Sequence, residues 1–327
     1  MRRIGFLVFC VALLSACTDS KKQQWENLVS TYSNTGKMRT DRSPVDAPLS
    51  ADLLAKNFEL IAFEFEDNPL GRGKKSRQSP AILRRWEAGL HYNVIGPIDG
   101  LGNAKAEVAR MTAWLSKLSQ RQFSEVKPHF LRGKDDPAAN VLIMMGDGDY
   151  FDLLTTPYAR NSILKKGSDQ KGARAALDFV EDWHESSSPC AATVFWRNEQ
   201  DDSKFGTIVY AVVAIRTDIG QLLLQSCVEE ELAQIMGLTN DDASVRPSLF
   251  NDDQEFSLLT NHDILLLRTL YDGRLKSGMP VETAMPIVRQ IVSELIDNPA
   301  PLPTVSRDQA QRTSPLAGKT DNAHVKN

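Results

Sequence analysis

The stretch Cys227-Val228-Glu229-Glu230-Glu231-Leu232-Ala233-Gln234-Ile235-Met236-Gly237-Leu238-Thr239-Asn240-Asp241 decides how this chain is read. Leu224, Val228, Leu232 and Ile235 recur at helical spacing, which predicts a helix over about Ile219–Met236 with that face in the core. Glu230 and Gln234 lie four apart and share another face, with Glu231 beside them. Gly237 is a helix-stop signal, and Asn240 could return toward the same face after the turn.

Outward from that helix, strands and helices alternate. Strands are predicted at Phe58–Phe65, Leu90–Ile95, Val141–Met145, Ala192–Trp196 and Thr207–Ile215. The last two flank a polar run and suggest a hairpin. Helices are predicted over about 103–120, 170–185, 260–271 and 281–296. The fold class is therefore α/β (α+β), with a mixed twisted sheet and a helical C-terminal part.

Both termini read differently from the middle. Arg2 and Arg3 precede an apolar run, Ile4 to Leu14, shorter than the about 20 residues a spanning helix needs. This is a secretory signal. Leu14-Ser15-Ala16-Cys17 resembles the lipobox of bacterial lipoproteins, which implies cleavage after residue 16 and lipidation of Cys17. Several acyl chains hold a domain on a bilayer where one is marginal. The alternative is an ordinary cleaved signal with Cys17 incidental. The expected organisation is a signal over 1–16, a flexible tether over 17–50, one folded domain over 51–297 and a disordered Pro-rich tail over 298–327.

Composition narrows the function classes. The chain has 327 residues, 42% hydrophobic and 24% charged, which is globular. Its 38 Lys+Arg and 42 Asp+Glu give a net charge of −4, against a nucleic-acid partner. After export Cys190 and Cys227 are the two thiols left, and pairing with each other is the simplest outcome in an oxidising compartment; two buried free thiols are the alternative.

The central helix resembles the metzincin zinc proteases, whose pattern is H-E-x-x-H-x-x-G-x-x-H. The glycine register puts Glu230 at the first histidine, Glu231 at the general-base glutamate, Gln234 at the second histidine and Asn240 at the third. Downstream, Leu259-Thr260-Asn261-His262-Asp263-Ile264 through Tyr271 looks like the helix that succeeds the active site in that group. Phe250 stands at the methionine-turn position. The chain looks like a bacterial lipoprotein of the domain-of-unknown-function family numbered 2927, and the likeness implies a zincin-like fold.

The donor chemistry does not match the shape. Zinc favours imidazole and thiolate, whereas Glu230, Gln234 and Asn240 offer oxygen and weakly basic amides, closer to a hard-cation set. Glu231 then has no metal-polarised water to deprotonate. Three readings compete. The first is a non-catalytic zincin-like module that holds an envelope protein or peptide, with no cofactor. The second is a metal-dependent peptidase with oxygen ligands and Glu231 as base. The third is an amphipathic helix with a solvated acidic cluster, since acids near a helix start are favourable. The expected location is the envelope, lipid-anchored and facing the periplasm. Weaker signals are Asp147-Gly148-Asp149 with Asp152 (calcium or a polar turn), His184-Glu185, and the basic loop Gly71–Arg77.

Overall fold

The structure is a computed structural model that describes residues 23–64, 81–97, 101–127, 138–166, 170–186, 188–198, 204–251 and 253–298. The signal, Cys17, the loop 71–77 and all but the first residue of the expected tail lie outside them. No helix among the described residues is long and apolar enough to cross a membrane.

The chain runs α1 (residues 23–34), α2 (Ala51–Phe63), β1 (Leu90–Ile95), α3 (Gly102–Ser119), β2 (Phe123–Glu125) and β3 (Val141–Gly146). Then come α4 (Gly148–Thr155), α5 (Pro157–Lys166), α6 (Gln170–His184), β4 (Cys190–Trp196) and β5 (Ile208–Arg216). It closes with α7 (Gln221–Gln234), α8 (Asn261–Leu270) and α9 (Val281–Asp297). The strands form one sheet in the order β2-β1-β3-β5-β4. β1, β2, β3 and β5 are parallel, and β4 runs antiparallel to β5 at the edge. The mixed α/β class and the hairpin expected from the sequence are both present.

The central strands alternate between two cores, as period-2 geometry requires. Ile143, Met145, Ala211, Val213 and Ile215 face the large core. That core also holds Leu54 and Phe58 of α2, Val108 and Met111 of α3, Val228 and Leu232 of α7, and Leu266 of α8. Met144, Val212 and Ala214 face a smaller core with Phe151, Val180 and Trp183 of α4 and α6. Burial of both sheet faces explains why β3 and β5 read as continuous apolar runs.

Three expectations are corrected. Residues 58–63 are helix rather than strand. Leu54, Phe58, Ile61 and Ala62 form a helical stripe against the core, and Ser50 caps the helix by accepting from the Leu53 N–H at 3.2 Å. The tether does not extend to residue 50. Residues 23–34 are helical with Trp25, Val29 and Tyr32 packed on the core, and Met38 is buried. Thereafter the Arg39 N–H donates to the Glu255 carbonyl at 2.8 Å, and the Ser257 N–H to the Arg39 carbonyl at 2.8 Å. Charged residues that read as tether are held by carboxylates far along the chain. Finally, the acidic turn at 147–152 opens a helix: Asp147 caps α4 through the Tyr150 N–H at 2.9 Å, and Asp152 meets His184 Nε2 at 2.6 Å.

Candidate functional site

The central helix α7 carries three kinds of face. Leu224, Val228 and Leu232 enter the core. Glu229, fully buried, ties α7 to its surroundings. Its carboxylate accepts from Arg42 Nη1 and Nη2 at 2.9 and 2.8 Å, from Arg110 Nη2 of α3 at 2.7 Å, and from the Leu259 N–H at 2.9 Å. Burial alone would raise this carboxyl, but Arg42 and then Arg110 outweigh it and hold it below its ordinary value. The third face, Cys227, Glu230, Glu231 and Gln234, lines a cleft of about 630 Å³.

The other walls of that cleft are α1 (Trp25, Leu28 and Tyr32 among its residues) and the start of the edge strand β4, residues 190–192, and β4 is bonded to α7. Cys190 and Cys227 form a disulfide with Cα atoms 5.8 Å apart. The bond joins β4 to the middle of α7. The Cys190 sulfur and carboxylate oxygens of Glu230 and Glu231 lie within 4.8 Å of one another. Glu231 is 4% exposed, and Glu230 is half-buried.

The end of α7 is fixed by groups that answer its last carbonyls. Trp86 Nε1 donates to the Ile235 carbonyl at 2.7 Å, and the Tyr271 hydroxyl to the Met236 carbonyl at 2.9 Å. Gly237 comes next with φ +115°, and a Cβ there would stand 2.1 Å from the Arg84 carbonyl oxygen. Glycine is required on both counts.

Beyond Gly237 the chain does not bring Asn240 to the cleft. The Asn240 side chain donates to the Leu60 carbonyl at 3.1 Å and its backbone N–H to the Ile61 carbonyl at 3.3 Å. Thr239 Oγ1 adds a bond to the Glu64 carbonyl at 3.2 Å. These donors satisfy the last turn of α2. Because residues 58–63 pass for a strand in the sequence, the open carbonyls that capture Asn240 cannot be anticipated there. Asp241 lines the cleft instead, and Gln234 Nε2 donates to both of its carboxylate oxygens at 3.0 Å. Sequence reasoning gave Glu229 and Asp241 no role. Their signal, an acid on each side of a helix-glycine turn, is too common to single them out.

The Phe250 segment packs beneath this region with Phe250 fully buried. It is held by Asp263 of α8, which accepts from Ser248 Oγ at 2.5 Å, the Leu249 N–H at 3.0 Å and the Thr260 N–H at 2.7 Å. His262 is a core histidine whose Nε2 lies 2.9 Å from Asn57 Nδ2.

The donor set at the cleft is ill suited to zinc. The Cys190 sulfur is spent in a disulfide and is no thiolate. The Gln234 amide nitrogen is engaged by Asp241, and Asn240 faces away. The remaining ligand chemistry at the cleft is carboxylate oxygen, which does not fit a zinc protease centre.

Fold and site together define an α/β domain whose central helix, bonded to an antiparallel edge strand, presents acidic side chains to a cleft. Residues 51–290 match the family described as protein of unknown function (DUF2927), and the chain belongs to it. No curated protein matches the chain.

Proposed function

We propose that this protein is a lipid-anchored envelope protein, attached through Cys17, whose domain descends from a metzincin scaffold and holds peptide or protein without catalysis. The observation that carries the reading is the cleft bounded by α7, β4 and α1, cross-linked between α7 and β4, while its acidic face lacks every imidazole a zinc site needs. The order of parts supports the ancestry: helix with Glu231, Gly237 at the turn, the buried Phe250 segment, then α8. An antiparallel strand at a sheet edge can pair with an extended peptide through its outer backbone groups, a mode that needs no metal.

The test is peptide capture by the purified chain, with and without chelator, and in Glu231→Gln. Capture unchanged by either supports a binding module. Turnover abolished by both would replace it with the hydrolase reading, in which Glu231 is the base.

A further inference from the structure

A second cavity, of about 410 Å³, lies where the ends of α3 and α8 meet α9, and no residue lines both it and the α7 cleft. Its volume suits a small ligand. Its charge is one-sided in a chain whose net charge is −4. Arg85, Arg121, Arg268, Arg274 and Lys276 line it, against two carboxylates, Asp272 and Glu294. These cations come from three distant parts of the sequence, and only the fold brings them together.

Three of the five are fixed by partners. Buried Arg85 donates from Nη1 to the Leu270 carbonyl at 2.7 Å and from Nε to Glu87 Oε1 at 3.0 Å. Arg121 Nη2 reaches the other Glu87 oxygen at 3.2 Å. Arg274 joins Asp272 at 2.9 Å and Glu294 at 2.7 Å, so it takes up both lining carboxylates. Arg268 and Lys276 stand outside these pairs. Their side chains form no hydrogen bond or ion pair with the described residues. Lys276 is exposed, but Arg268 is half-buried, where a charge without a counterion is costly. A cavity lined by one sign of charge also concentrates ions of the other.

We propose that this cavity binds a small phosphate monoester, with Arg268 and Lys276 as its countercharges. A phosphate monoester carries about −1.5 to −2 at neutral pH, which matches the two cations left over, whereas a single carboxylate would leave one unmatched. The planar guanidinium of Arg268 suits phosphate oxygens, and Lys276 adds a mobile point charge. Leu118, Ile291 and Leu295 give the cavity an apolar side for whatever the phosphate is attached to. The site is independent of the α7 cleft and of any peptide held there. The ester could be a soluble metabolite or the headgroup of a lipid.

The experiment is calorimetric titration of the full chain with glycerol 3-phosphate and, separately, with dihexanoyl phosphatidic acid below its micelle concentration. Saturable uptake of one or both is expected, weakened about tenfold or more in Arg268→Gln/Lys276→Gln. Lys105→Gln, an exposed lysine at the opposite end of α3, should leave it unchanged. Similar affinity for the two probes assigns a soluble ester; about tenfold tighter binding of the lipid assigns a headgroup. No saturable uptake of either probe up to about 10 mM would overturn the site. So would an equal loss in Lys105→Gln, which would mean diffuse surface charge. If the double variant melts early, Lys276→Gln alone carries the comparison, and binding equal to that of the unaltered chain counts against the site.

Discussion

Gln234 donates its one side-chain nitrogen to both carboxylate oxygens of Asp241, at 3.0 Å each. The carboxylate therefore already reaches the Glu230–Gln234 face of α7. Glu230→His together with Gln234→His would set two imidazoles four apart beside Asp241, a donor set of the kind catalytic zinc sites use. Elemental analysis of that variant should find one zinc per chain. Asp241→Ala in the same background should weaken zinc at least tenfold, about 1.4 kcal/mol. No retained zinc would mean the face of α7 does not converge with Asp241.

Gly237→Ala should be among the most damaging single changes. The new methyl meets the Arg84 carbonyl at 2.1 Å and must adopt φ +115°. Relief would pull α7 away from Trp86 and Tyr271, which satisfy its last carbonyls. A loss of about 3 kcal/mol or more is expected in urea unfolding. A loss under about 1 kcal/mol would show that the turn can shift.

Gly237 also shows which parts of this molecule could be read in advance. A glycine after a helical stripe is a local signal, and so are the apolar runs of β3 and β5 and the polar break in the β4–β5 hairpin. The domain class rests on these. The features that stayed hidden depend on distant partners. Residues 58–63 are apolar enough to pass for a strand, and only Leu54 and the Ser50 cap upstream reveal a helix. Arg39 and Arg42 look like solvated tether until Glu255 and Glu229 arrive from the other end of the chain. Asn240 and Asp241 are adjacent, and nothing local says which faces the cleft. That choice is made by the open carbonyls at the end of α2.

Removing the cross-link tests how the cleft is held. Cys190 and Cys227 are 37 positions apart, and the chain-entropy model gives about 3–4 kcal/mol for closing such a loop. Cys190→Ser/Cys227→Ser should lower stability by that order in urea. Hydrogen exchange should rise at the start of β4, an edge strand that pairs only with β5 among the described residues. Unchanged exchange would show that sheet pairing alone fixes that wall.

Acid should loosen α7 from its neighbours through Glu229. Its carboxyl is held below the ordinary 4.5 because Arg42 and Arg110 outweigh burial. A depressed carboxyl contributes stability that is fully present above its unfolded pKa and is lost as pH falls through the folded one. Glu229 thus adds nothing pH-dependent near neutrality and steepens unfolding below about pH 4.5. Glu229→Gln should cost about 1–3 kcal/mol at pH 7, because Arg42 loses its buried partner while Arg110 keeps Glu107 at 2.7 Å. It should also flatten the stability profile on the acid side. Urea midpoints measured from about pH 3 to about pH 7 read both effects (~1 pH unit steps suffice). If the variant and the unaltered chain fall in parallel below pH 4.5, other carboxylates govern the acid limb.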